Sequence, residues 1–323
     1  MKILITGGGG FLGSHLVDAF LKRGDEVVVL DTSPDLKVRH NLSNPRFRYI
    51  QNSIFEKDLL ESLVAKADLI YHLAAVVGVE HYVGDPLNVL NVNVNGTQQI
   101  LKLALRYEKK IVFSSTSEVY GKNPNIPFKE DESDRVLGPT SIDRWCYSTS
   151  KAIGEHFCFA YAKLGLKMVI VRYFNIYGPR LDWIDKGRVI TIFMGQLLRG
   201  EDITVIGDGM QTRCFTYVDD AIQATVAAGL KPEAEGQIFN IGTDVETTIK
   251  ELAETMIQIL PTGSKIRYVN QEEIYGKSYE DIPRRVPSIE KMKKILGVEP
   301  STSLKDGLTK TIEWFREEFP KMK

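Results

Sequence analysis

The chain has 323 residues, 43% of them hydrophobic and 26% charged, with 41 Lys and Arg against 42 Asp and Glu. That length can bury a large core, and a net charge of −1 excludes the strong basic field expected of a protein that binds nucleic acid or an anionic membrane surface. No apolar run is long enough to cross a bilayer, and three cysteines (Cys146, Cys158, Cys214) form neither an even disulfide framework nor a C-x-x-C pair, so a cytoplasmic protein without a metal site is expected.

Lys2–Thr6 reads as a strand. Phe11–Arg23 reads as a helix, with Leu12, Leu16, Ala19 and Phe20 at helical spacing. The stretch from Met1 to Gly13 lacks a basic n-region, a long apolar core and a cleavage site, so it is expected to be mature protein. Glu26–Asp31 is a second strand, Leu69–Leu73 a third, Asn88–Tyr107 a long helix and Lys110–Ser115 another strand. Tyr147–Lys163 is a further helix, followed by the strand Met168–Tyr173. Strand–helix alternation of this kind predicts an α/β fold: a doubly wound parallel sheet with helices on both faces. After Gly178 the pattern loosens. Helices over Ile190–Leu198 and Ile249–Ile259 alternate with short strands, and Leu304–Phe319 is a charged amphipathic helix. A smaller C-terminal α/β lobe is expected over residues 176–323, packed on a first domain of residues 1–175 to which some later segments return.

Thr6-Gly7-Gly8-Gly9-Gly10-Phe11-Leu12-Gly13 follows the first strand and opens the first helix. Glycine at 7, 10 and 13 permits a tight turn, close approach of backbone to a pyrophosphate, and close helix–strand packing, with the helix N-terminus facing the phosphates. Asp31 ends the next strand about 20 residues on, where a carboxylate can hold the ribose hydroxyls of a dinucleotide. A carboxylate there repels a 2′-phosphate, and Thr32-Ser33 offer no basic replacement, so NAD is favoured over NADP; Lys37 and Arg39 are the nearest cations. The first domain is therefore read as an NAD-binding Rossmann domain.

Tyr147-Ser148-Thr149-Ser150-Lys151 is a Y-x-x-x-K whose i,i+4 spacing puts both side chains on one helical face. A phenol has an ordinary pKa near 10, but a neighbouring ammonium and a cationic nicotinamide both favour phenolate, so Tyr147 can take a hydroxyl proton while hydride leaves for the cofactor. Alone, such a pair is commonly fortuitous. Here it lies downstream of the glycine loop and of Ser114-Ser115-Thr116-Ser117-Glu118-Val119-Tyr120-Gly121.

With these residues and His72-Leu73-Ala74-Ala75, Asn93-x-x-Gly96-Thr97 and Arg172-Tyr173-Phe174-Asn175-x-Tyr177-Gly178-Pro179-Arg180, the chain resembles an extended short-chain dehydrogenase/reductase over nearly its whole length. Its group is the sugar-nucleotide epimerases, dehydratases and decarboxylases. The resemblance implies bound NAD, a UDP-sugar substrate, and a homodimer formed through helices such as Asn88–Tyr107 and Tyr147–Lys163. It places Phe11, Leu12, Leu73, Ala74, Ala75, Asn93, Tyr147 and Lys151 at the cofactor together with the glycines and Asp31. At the adenine, Asn52-Ser53-Ile54 stands where the family often has G-D-I, which assigns Ser53 and Ile54 to that contact.

Thr116-Ser117-Glu118 is the form found in UDP-glucuronate decarboxylases, although GDP-mannose dehydratases show something similar. Tyr82 matches a tyrosine those decarboxylases place against the sugar. The stretch Tyr275–Ile289 resembles the decarboxylase of the bacterial aminoarabinose pathway, which assigns Tyr279 to the substrate and Arg285 to the sugar carboxylate. Gly187-Arg188-Val189 and Gln211-Thr212-Arg213 resemble the loops that hold uridine diphosphate, and Asn175 and Arg180 complete the expected substrate contacts. In that scheme Thr116, Glu118, Tyr147, Lys151 and Arg285 are catalytic. Thr116 and Tyr147 meet the oxygen at C4, and Glu118 manages protons near C5. A 4-epimerase or a 4,6-dehydratase would use the same hydride step and is the alternative. A non-catalytic NAD-sensing regulator typically lacks the tyrosine or the lysine, and both are present. His72 is expected to be structural, and Cys146 to be packing.

Overall fold

A computed structural model of the chain describes residues 1–182, 184–185, 187–270, 282 and 284–318. The strands in chain order are β1 (Lys2–Thr6), β2 (Glu26–Asp31), β3 (Phe47–Gln51), β4 (Leu69–His72), β5 (Lys110–Thr116), β6 (Met168–Tyr173), β7 (Ile176–Tyr177) and β8 (Ile203–Ile206). They continue with β9 (Thr212–Arg213), β10 (Thr216–Tyr217), β11 (Ile238–Ile241), β12 (Thr247–Thr248) and β13 (Ile266–Val269). The helices are α1 (Phe11–Arg23), α2 (Lys57–Lys66), α3 (Val79–Gly84), α4 (Pro86–Leu90), α5 (Thr97–Arg106), α6 (Arg144–Ala162), α7 (Val189–Leu198), α8 (Val218–Leu230), α9 (Ile249–Ile259) and α10 (Leu304–Glu318).

Seven strands form one parallel sheet in the order β11-β6-β5-β4-β1-β2-β3. The β-branched residues of β1 and β6 are buried on both faces, and those of β2 are buried except for the half-buried Val28, as a sheet covered by helices requires. Helices α1 and α8 pack together on one face, and α2, α5 and α6 on the other. Leu16, Phe20, Tyr71 and Phe239 build the first core, which runs on into Phe193, Met194, Leu252 and Phe315 of the C-terminal lobe. Leu60, Ile100, Leu101, Phe113 and Ile170 build the second. Each such side chain contributes about 1.5–3 kcal/mol by leaving water. One continuous core therefore fixes the lobe to the sheet, and β11, far along the chain, pairs with β6 at the sheet edge.

The helix expected over Asn88–Tyr107 begins at Pro86 and is interrupted: α4 and α5 flank a π-helical turn over Asn91–Gly96. The wider turn directs Asn93 inward. A Cβ at Gly96 would meet the terminal methyl of Ile54, so a side chain there would require Ile54 to shift. Strand order reverses at β1, between β4 and β2, and the loops after β1, β4 and β5 open there into one crevice.

Candidate active site

The loop after β1 is built for close approach. Gly7 has φ +76°, and a Cβ on it would lie 2.5 Å from the Ala74 amide nitrogen. A Cβ on Gly13 would lie 2.5 Å from the Gly7 carbonyl, which holds α1 against the loop. Gly10 is the N-cap of α1 and gives no side-chain cap, leaving the first-turn amides to face the crevice with Phe11 and Leu12 beside them. Asp31 accepts from the Gly9 amide at 2.8 Å and from both the amide and hydroxyl of Ser33, so its carboxylate is anchored at the rim. Lys37 gives its ammonium to the Leu181 carbonyl, and Arg39 pairs with Asp35. Neither cation replaces the charge of Asp31. This cradle fits a dinucleotide.

The loop after β4 carries Leu73, Ala74 and Ala75. The Leu73 amide donates to the Thr6 carbonyl, and Asn93 ties the loop's next residue down, accepting from the Val76 amide and donating to its carbonyl. The Asn93 amide also donates to Ser150, next to Lys151, so this buried residue joins the loop to α6. Ser53 accepts from the Phe55 amide, and the Ile54 carbonyl accepts from Gln99. His72 lies between Thr6 and Thr97 hydroxyls, with burial depressing its pKa to about 3; it is a neutral structural histidine.

Thr116 ends β5 and Tyr147 sits in the second turn of α6, with the Thr116 hydroxyl near enough to the phenol to favour its ionised form. Burial pushes the Tyr147 phenol well above its ordinary value, and the Glu118 carboxylate pushes the same way. Arg188 and the Thr116 hydroxyl oppose them. Lys151 donates to the Ser114 carbonyl at 2.8 Å and lies over the Phe113 ring; burial lowers its pKa to about 8. Tyr147 and Lys151 both lie on α6, one turn apart, and the protein alone holds the phenol neutral. Desolvation of the anion outweighs the cations around it. Tyr82, 3% exposed, stacks on Tyr147 with ring centroids 6.1 Å apart.

Glu118 projects from the short 3₁₀ turn Ser117–Tyr120. Its Oε1 lies 3.5 Å from Arg285 and 3.8 Å from Arg144. Glu118 and Arg285, 167 positions apart in the chain, were both expected at the site and are brought together; Arg144 was not expected there. Its signal was its place three residues before Tyr147, on the same helical face. The arginine segment is held from behind. The Phe128 amide donates to the Val286 carbonyl, the Ser288 amide donates to the Phe128 carbonyl, and Asn240 donates to the carbonyls of Phe128 and Ser288.

Of the expected substrate residues in the C-terminal lobe, Asn175 donates to the Cys214 carbonyl and Gln211 to the Ile206 carbonyl, while Arg213 is buried on the Thr212 carbonyl. Arg188 pairs with Asp182 and stands over the Phe11 ring, so it reaches the glycine loop. Arg180 is instead spent on Asp18 and His15 of α1 and on the Lys37 carbonyl, which ties the segment after β7 to α1. Tyr279 lies outside the described residues.

Residues 3–242 match the NAD dependent epimerase/dehydratase family. The chain belongs to it. The family is enzymatic and NAD is its cofactor, in keeping with the cradle around Gly7, Gly13 and Asp31. Among curated relatives, a UDP-N-acetyl-alpha-D-glucosaminuronate decarboxylase of Bacillus cytotoxicus is 43% identical over 98% of either chain. UDP-glucuronic acid decarboxylase 1 of Xenopus tropicalis is 38% identical over 98% of this chain and 72% of its own. Among solved structures, a UDP-glucuronic acid 4-epimerase from Bacillus cereus, in complex with UDP-glucuronic acid and NAD, superposes with a TM-score of 0.87 at 30% identity. That match covers 98% of this family member and 99% of the epimerase.

Proposed function

We propose that the protein is an NAD-dependent decarboxylase of a UDP-hexuronate, with UDP-glucuronate as substrate. The observation that carries this reading is Glu118 facing Arg285 beside the Thr116–Tyr147 pair. A carboxylate and an arginine at one side of a redox pair suit a sugar with an acid at C5, because the planar guanidinium fork pairs bidentately with a carboxylate. NAD, when bound, takes a hydride from C4 and can return it.

Tyr147 accepts the proton of the C4 hydroxyl. Its raised pKa makes that transfer depend on cationic charge brought in by the bound cofactor. Lys151, with a pKa near 8, holds α6 against β5 through Ser114 and supplies further positive charge. Arg285 holds the sugar carboxylate until the C5–C6 bond breaks. The bond's electron pair then moves into the C4 carbonyl, and Thr116 and Tyr147 hydrogen-bond the developing enolate oxygen as carbon dioxide leaves. Glu118 passes to C5 a proton that it first takes from water. UDP-xylose results if the C4 ketone is reduced again, and a UDP-4-keto-pentose if it is released.

Residues 1–175 serve as the NAD domain and 176–323 as the substrate lobe, with Asn175, Arg188, Gln211, Arg213 and Tyr279 toward the UDP-sugar. The 43% identical relative, named for an N-acetylated hexuronate, favours UDP-N-acetylglucosaminuronate as a second substrate to test. We also infer a cytoplasmic homodimer. Leu87, 76% exposed, and Leu90 line an open surface groove with Val94 and Ile153 between α4 and α6, which supports pairing through these helices.

The reading is tested by incubating purified protein and NAD with UDP-glucuronate, UDP-N-acetylglucosaminuronate and UDP-glucose, and following carbon dioxide and products by mass spectrometry. Carbon dioxide from either acid is expected. Epimerisation of UDP-glucose without carbon dioxide from either acid would move the chain to the 4-epimerases, and Tyr147 and Lys151 would keep their roles.

A further inference from the structure

Glu118 is approached from two sides by side chains remote in sequence. Arg144 opens α6 and Arg285 lies 141 residues later, yet both guanidiniums face the same oxygen, Oε1, at 3.8 and 3.5 Å. The other oxygen, Oε2, is buried and accepts no hydrogen bond among the described residues. Both cationic contacts exceed the 2.7–2.9 Å typical of a charge-assisted hydrogen bond. The carboxylate is held loosely by one edge, with its second oxygen uncommitted.

Arg144 is an expensive residue to keep where it stands. It is 1% exposed, and burying a guanidinium costs several kcal/mol before any partner compensates. It also sits in the first turn of α6, where the helix dipole disfavours a cation. A methionine of similar volume would fill the same space without either penalty. Tyr147 lies one turn on along the same face, and Thr116, whose hydroxyl lies near the Tyr147 phenol, is two residues before Glu118.

We propose that Arg144 is a positioning residue: it holds Glu118 by Oε1 and keeps it in place when Arg285 turns to the substrate carboxylate. This rests on the decarboxylase reading. Without Arg144, the substrate and Glu118 would compete for the single guanidinium of Arg285. Arg144 separates the two tasks.

A double-mutant cycle between Arg144→Met and Glu118→Gln tests this, read as carbon dioxide release from the better UDP-hexuronate, with NAD and UDP affinities measured by calorimetry. Arg144→Met should lower kcat at least about tenfold, the loss expected for a charged contact, while KM changes far less and UDP binds as before. Arg144→Lys should recover part of the rate. In the Glu118→Gln background Arg144 has no carboxylate to position, so adding Arg144→Met should cost almost nothing more. Additive losses, or a wild-type rate in an Arg144→Met protein that binds NAD and UDP normally, overturn the proposal. Should Arg144→Met fail to fold, Arg144→Lys takes its place in the cycle with the same criterion. If the wild type releases no carbon dioxide, the decarboxylase reading falls by itself. The cycle is then read on 4-epimerisation of UDP-glucuronate, where additivity would still refute the tie between Arg144 and Glu118.

Discussion

Glu155→Gln should cost this protein a large share of its stability, although Glu155 touches neither cofactor nor substrate in the proposed scheme. Its carboxylate takes a bidentate pair from Arg172, Nε to Oε1 at 2.9 Å and Nη2 to Oε2 at 2.6 Å, with each side chain 7% exposed. Ser115 donates to the same carboxylate, and Arg172 also donates to Tyr120 and to the Glu130 carbonyl. Glutamine removes the countercharge and leaves a buried guanidinium uncompensated, at about 3–5 kcal/mol. Against a total of about 5–15 kcal/mol this is a severe loss. With a urea m-value of about 3 kcal/mol/M the unfolding midpoint should fall by roughly 1–1.7 M. Glu155→Leu combined with Arg172→Met, which removes both charges, should be more stable than either single variant, because the cost lies in the orphaned charge. Urea titrations followed by circular dichroism of the wild type, Glu155→Gln, Glu155→Leu, Arg172→Met and the double variant measure this. A single-variant cost below about 1 kcal/mol, or a double variant that loses the sum of the two, would refute the argument.

The anchored Asp31 carboxylate should make the protein bind NAD at least tenfold more tightly than NADP, and comparable affinities by calorimetry would contradict the ribose assignment. Tyr147→Phe should lower turnover about a hundredfold or more while UDP and NAD bind nearly as before; a rate close to wild type would remove Tyr147 from the chemistry. Lys151 titrates near 8 when folded against 10.5 when unfolded, so between those values the unfolded chain binds more protons and stability rises with pH. Relative to Lys151→Met, the wild type should therefore gain about 3 kcal/mol on going from pH 7 to pH 10.5. A pH-independent difference would show that Lys151 is not desolvated as described.

Local chemistry settled a good deal of this protein in advance. The glycine loop, Asp31 and the Y-x-x-x-K spacing are short-range patterns; β1, β2 and β6 lie where their continuous apolar runs put them, and α1 and α9 where one apolar face at helical spacing put them. The helix expected over residues 88–107 conceals its π turn, because the need for one comes from Ile54 packing on Gly96 and from the loop that Asn93 must reach. Only the tertiary structure decided that β11 closes the edge of the sheet beside β6, since nothing in Ile238–Ile241 names its partner. It also decided that Arg180 pairs with Asp18 of α1 and that Arg144 and Arg285 converge on Glu118. The sequence by itself determined which groups could do chemistry, since proton affinity and hydrogen-bonding capacity belong to residue types. Which guanidinium faces which carboxylate depended on distances across the fold, and those are set by the packing of segments that no local pattern connects.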